Sequence, residues 1–151
     1  MATMTDAERD AFLLERRLGM LALGRVGKGP LLAPIWYSYT PGGTVDICMG
    51  ASSAKTKRLR VEGRASMAVS DEGHPYRYVT VEGPVTVEPL GDATEAAILA
   101  MSTRYLGDKG GVRYTADFMA NLATDDLHAD HGTTEVVVRL TPEHWRTEVL
   151  G

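Results

Sequence analysis

Cysteine is nearly absent: Cys48 is the only one in 151 residues, so no disulfide can form within the chain. The expected setting is a reducing, cytoplasmic one. Phenylalanine and tryptophan are scarce, at two residues each. No uncharged apolar run approaches the roughly 18–20 residues that cross a bilayer, so no membrane span is expected. The stretch MATMTDAERDAF carries acids within its first ten residues and no apolar run, so a secretory signal is not expected. Basic charge is not in excess. Sixteen basic against 20 acidic residues leave a net charge of −4, which argues against general nucleic-acid binding. Repeats, low-complexity tracts and Pro/Ser linkers are missing, and one domain over residues 1–151 is expected.

What is present is a change of period along the chain. Thr5 and Glu8 have capping-box spacing, and Phe12 and Leu13 begin an apolar face, which predicts a helix to about Arg17. Short strands follow over Met20–Arg25, Leu31–Tyr39 and Val45–Met49, divided by turns at Gly27-Lys28-Gly29-Pro30 and Pro41-Gly42-Gly43. Ser52–Glu62 reads as a helix capped by Ser52 or Ser53. Ala65–Ser70 and Tyr76–Glu88 are strands. In the second, Val79, Val81, Val85 and Val87 share one face, and Tyr78, Thr80, Glu82 and Thr86 the other. Gly83-Pro84 within it suggests a bulge or an edge. A helix from Asp92 to about Tyr105, a glycine-rich break, a helical piece over Tyr114–Asn121 and a strand over Glu135–Leu140 complete the series. Six strands with three or four helices predict an α+β fold with a mainly antiparallel sheet.

Five of the sixteen basic residues, Lys55, Lys57, Arg58, Arg60 and Arg64, fall within ten positions. Lys55 and Lys57 sit in the first turn of the expected helix, where unpaired backbone N–H groups already carry partial positive charge. A cation there is unfavourable by roughly 0.3–1 kcal/mol. A bound phosphate would reverse that sign, with Ser52, Ser53 and Thr56 adding hydroxyl or backbone donors. A solvated basic face is the plain alternative. Nucleic acid fits less well, because no aromatic residues interleave the cluster.

Three stretches taken in order carry a resemblance. They are Gly50-Ala51-Ser52-Ser53-Ala54-Lys55-Thr56-Lys57-Arg58-Leu59, then Gly63-Arg64-Ala65-Ser66, then Tyr76-Arg77-Tyr78-Val79-Thr80-Val81-Glu82-Gly83. The series resembles the flavin-reductase split-barrel superfamily, whose namesake is pyridoxamine 5′-phosphate oxidase. Pro34-Ile35-Trp36-Tyr37 fits its branch that uses the deazaflavin coenzyme F420. The resemblance implies a six-stranded antiparallel split β-barrel with flanking helices, of the FMN-binding type. It also implies a homodimer with cofactor sites at the subunit interface. Lys55 and Lys57 would bind the cofactor phosphate, with Ser52, Ser53 and Thr56 beside them. Pro34, Ile35 and Trp36 on one strand and Met49 and Gly50 on another would flank the tricyclic ring. Tyr76 and Tyr78 would approach from the partner subunit, and Tyr78 is a candidate proton donor.

The implied activity is F420-dependent hydride transfer to an activated double bond of a small hydrophobic acceptor. The alternatives are an FMN-dependent oxidoreductase and a non-catalytic flavin or tetrapyrrole carrier. The segment Glu143–Gly151 does not reproduce the arginine- and histidine-bearing end of true pyridoxamine phosphate oxidases, so vitamin B6 oxidation is not expected. Arg58, often neutral in the family, suggests a longer anionic cofactor tail. Substrate walls are expected from loops at Gly107–Tyr114 and Thr124–Gly132. The tract Asp125-Asp126-Leu127-His128-Ala129-Asp130-His131 has metal-like composition but reads as a solvated loop, and no metal is expected. Cys48 reads as a small core residue.

Overall fold

The computed structural model describes residues 2–124 and 135–151. It contains β1 (Gly19–Leu23), β2 (Leu31–Ile35), β3 (Ser38–Tyr39), β4 (Val45–Gly50), β5 (Arg64–Ser70), β6 (Tyr76–Pro89), β7 (Glu135–Leu140) and β8 (His144–Leu150). The helices are α1 (Asp6–Leu14), α2 (Ala54–Glu62) and α3 (Thr94–Thr124), and a single 3-10 turn, Gly91–Ala93, leads into α3. All strand pairs are antiparallel, in the order β2-β1-β5-β6-β7-β4-β3, with β8 on β6. β2 and β3 stand at opposite ends of that order yet are joined by only Trp36 and Tyr37, so the sheet curls into a split barrel.

The α+β split barrel agrees with the sequence reading; the strand count does not. The expected strand Leu31–Tyr39 is broken because the Tyr37 amide donates to the Tyr105 hydroxyl (3.0 Å) in place of a strand neighbour. The eighth strand, β8, pairs with the first half of β6 from Tyr76↔Leu150 to Glu82↔His144. Gly83-Pro84 is neither a bulge nor an edge but the point where β6 changes partner, from β8 before it to β7 after it. A Cβ at Gly83 would lie 1.9 Å from the Thr141 carbonyl oxygen, so only glycine fits the crossing.

The inward faces of the strands supply one core, including Leu21, Ile47, Met67, Val79, Val81, Val138 and Leu140. Phe12 and Leu13 of α1 and Leu59 of α2 are buried in it. The predicted capping box forms, with Glu8 N donating to Thr5 Oγ1 (3.2 Å) and Thr5 N donating to Glu8 Oε2 (2.7 Å). α1 stops at Leu14, short of Arg17. Arg104 of α3 takes over its end, donating to the Leu13, Leu14 and Glu15 carbonyls. The expected Gly107–Tyr114 loop is helical apart from Gly107, whose φ of 77° turns α3 back on itself. Ser102 and Thr115 then share a buried hydroxyl contact (3.1 Å) across the turn.

Candidate functional site

The open side of β4 faces α3, and between them lies a cavity of about 530 Å³, a size suited to a small ligand. Pro34, Ile35 and Trp36 border it from β2 and the residue beyond, and Ile47, Cys48, Met49 and Gly50 from β4. Ser53 and Lys55 enter from the start of α2, Ile98, Met101, Tyr114 and Phe118 from α3, Leu18 from ahead of β1, and Glu135 from β7. Seven residues singled out in the sequence, Pro34, Ile35, Trp36, Met49, Gly50, Ser53 and Lys55, therefore meet at one cavity.

The polar end is set by the chain leaving β4. Ser53 caps α2, its Oγ accepting from Thr56 N (3.2 Å). Thr56 is fully buried, and its hydroxyl donates to the Gly50 carbonyl (2.7 Å). Thr56 thus anchors the turn rather than presenting a free hydroxyl. Ser52 differs: its Oγ is buried with no hydrogen-bond partner among the described residues. A buried hydroxyl left unpaired costs about 1–3 kcal/mol, so such an atom calls for a ligand or an ordered water. Among the described residues no carboxylate pairs with Lys55, Lys57 or Arg60. Lys57 is exposed and does not line the cavity. Arg58 is committed elsewhere. It donates to the Gly24 carbonyl (2.6 Å) and pairs with Glu62, so it ties α2 to the end of β1 instead of reaching for an anionic tail.

The far end is aromatic. Trp36 stacks on Tyr105 with centroids 5.0 Å apart and planes 5° from parallel, and Tyr114 leans on it at 5.2 Å. The Tyr105 hydroxyl holds the stack by accepting from Tyr37 N and donating to the Arg17 carbonyl (2.7 Å). Tyr114 and Phe118 are four residues apart after the Gly107 turn of α3, and Ile98 and Met101 are three apart before it, so one face of each helical half contributes to this wall. Apolar residues at helical spacing ordinarily fill a core, so the sequence carries no signal that these four line a site.

Two titratable groups border the cavity that the sequence did not mark for function. Burial first, then the neighbouring Glu135, pushes the Cys48 thiol up to about 11, so it stays a neutral thiol. Burial alone raises the Glu135 carboxyl above its ordinary value. Tyr76 and Tyr78 on β6 do not line the cavity of their own chain. A hydrogen bond to Glu148 raises the Tyr78 hydroxyl, which works against proton donation. The tract 125–131, and the loop expected over Thr124–Gly132 beyond its first residue, lie outside the described residues.

No family profile and no curated relative matches the chain. Solved structures do. A conserved hypothetical protein from Mycobacterium tuberculosis superposes at a TM-score of 0.71 and 23% identity, over 97% of this chain and 85% of that one. An F420 reductase gives 0.67 and 22%, over 91% and 94%. A putative pyridoxamine 5′-phosphate oxidase from Listeria innocua gives 0.62 and 15%, over 94% and 96%. At such identities the likeness is one of architecture. The chain has the split-barrel fold these proteins share.

Proposed function

We propose that this protein is an oxidoreductase that binds a flavin-type ring with an anionic tail, and that the ring is coenzyme F420. The observation that carries the reading is the unpartnered Ser52 Oγ, buried beside a helix start whose Lys55 has no carboxylate partner among the described residues and lines the cavity. Those groups match the donor set a phosphate needs, so the residues present fit such a cofactor. The fold shared with an F420 reductase supports the choice of ring.

When bound, reduced F420 supplies a hydride to an activated double bond. The rest of the work falls to the chain. Lys55 holds the tail by charge, with Lys57 of the same helix start adding to the local positive field from outside the cavity, and Ser52 by a hydrogen bond. Pro34, Ile35 and Trp36 on one side and Met49 and Gly50 on the other bound the slot for the ring. Trp36 is fixed in orientation by Tyr105 before any ligand arrives. Ile98, Met101 and Phe118 exclude water from the acceptor, which favours a planar hydrophobic substrate. Tyr76 and Tyr78 belong, in this reading, to the site of a second copy, and the protein works as a homodimer.

Separate titrations with F420 and with FMN, followed by ring absorbance and fluorescence, test the reading. F420 binds the wild type more tightly. The doubly reversed variant Lys55→Glu/Lys57→Glu loses affinity by on the order of a hundredfold. Equal affinity in that variant would remove the proposal, and tighter FMN binding would move it to an FMN-dependent oxidoreductase.

A further inference from the structure

We propose that Glu135 is a hydrogen-bond donor on the β7 side of this cavity, which holds a carbonyl oxygen on the edge of a flat ring and so sets how that ring is oriented. The proposal rests on the cavity being a ring-binding site, as argued above, and adds the group that reads the ring's edge.

Four observations carry it. Glu135 is 9% exposed and lines the cavity, and it is the only carboxylate among its described lining residues. It faces Gly50 across the β4–β7 ladder, and a Cβ at Gly50 would lie 3.7 Å from Glu135 Oε1. The carboxyl therefore lies over one of the residues assigned to flank the ring. Among the described residues it forms no ion pair and no side-chain hydrogen bond. Finally, burial is the sole cause that raises this carboxyl above its ordinary value, which favours its protonated form.

The charged and titratable neighbours do not undo this. Asp46, on the same outer face of β4 and β7, is neutralised by Arg139 (2.7 Å), which also reaches Glu88 of β6 (3.3 Å). Cys48 lies between them and is a neutral thiol. Lys55 of α2 lines the same cavity without pairing with Glu135. From α3 come Ile98, Met101 and Phe118, which are apolar, and Tyr114, which leans on Trp36. A protonated carboxyl offers one O–H donor and an acceptor oxygen. Opposite the apolar Ile98, Met101 and Phe118, that donor selects a ligand with a carbonyl on its rim over one without. The same chemistry occurs on a flavin-type ring and on a quinone or enone acceptor.

The test uses wild type, Glu135→Gln and Glu135→Ala, each titrated separately with F420 and with menadione from about pH 5 to about pH 9, by quenching of tryptophan fluorescence. Glu135→Gln is close to isosteric and keeps a donor without a titrating group. Wild-type affinity is flat at low pH and falls about tenfold or more as the carboxyl ionises. Glu135→Gln stays flat throughout. Glu135→Ala is flat and about three- to tenfold weaker than wild type at low pH. Difference infrared spectra show a protonated-carboxyl band that shifts on ligand binding and is missing in Glu135→Gln. A response with F420 alone makes the cofactor ring the partner of Glu135, and a response with menadione alone makes it the acceptor. A flat wild-type profile with both ligands, or a band that ligand leaves in place, overturns the Glu135 assignment and leaves the cofactor reading standing. Failure of both ligands to bind wild type at any pH overturns both.

Discussion

The two ends of the cavity are built on opposite principles. At the α2 end, Lys55 lines the cavity with no carboxylate partner among the described residues, and the Oγ of Ser52, just ahead of that helix, is buried with no hydrogen-bond partner among them. At the α3 end, the Tyr105 hydroxyl accepts from Tyr37 N and donates to the Arg17 carbonyl, while its ring stacks on Trp36. On the proposed reading the first region is destabilising without a ligand and would be relieved by an anion. The second is complete in itself and gives the first a rigid wall to work against. The contrast teaches that binding and stability should separate when the two ends are mutated.

The sharpest division comes from charge reversal. Lys55→Glu alone should lower affinity for an anionic-tailed ring by on the order of tenfold or more, short of the loss in the doubly reversed variant, while the melting temperature stays level or rises. The rise is expected because a carboxylate suits a helix start and a cation does not. A fall in melting temperature of several degrees with unchanged binding would reverse the roles of the two ends. Tyr105→Phe is the mirror experiment. It leaves the buried Tyr37 N–H without its acceptor, at a cost of about 1–3 kcal/mol. A 151-residue chain should then melt roughly 2–12 °C lower. Calorimetry of the ligand-free protein measures this directly, and an unchanged melting temperature would mean the aromatic end is not the structural one.

The same contrast explains what could be read from the sequence. The α2 end was legible because its chemistry is local: hydroxyls and cations crowd a helix start within six residues, Ser52–Lys57. The alternating strands were legible for the same reason, since burial of Val79 and Val81 follows directly from period two. The α3 end was not, because its parts come from Trp36, Tyr105 and Tyr114, brought together by the turn at Gly107. Glu135 was hidden for a simpler reason: a single acid at the first position of a valine strand reads as a solvated end. Strand β8 carries a weaker signal: Trp145, Thr147 and Val149 alternate with Arg146 and Glu148, but the face holds a threonine and none of its residues is fully buried.

A subtler separation is expected at Ser52. Ser52→Ala removes an unsatisfied buried hydroxyl, so the ligand-free protein should be as stable as wild type or slightly more stable. Affinity for the anionic tail should nevertheless fall about three- to tenfold. The opposite sign in the melting experiment would mean that Ser52 Oγ is already satisfied in the ligand-free protein.

The smallest effect concerns Glu135 in the absence of any ligand, where only the sign is at stake. Its carboxyl is raised above the ordinary 4.5 by burial. The folded state therefore holds this proton more tightly than the unfolded state does. Its contribution to stability is fully present below the unfolded value and is lost as pH rises through the folded one. Glu135→Gln has no proton to lose. The stability difference between wild type and Glu135→Gln should thus shift in favour of the variant as pH climbs from about 4.5 upward, and level off once the carboxyl is ionised. Urea unfolding of both proteins across that range measures the difference. A gap that moves towards wild type with rising pH would mean that a cation stabilises the ionised carboxylate, and Glu135 would then belong with the charged α2 end rather than the apolar one.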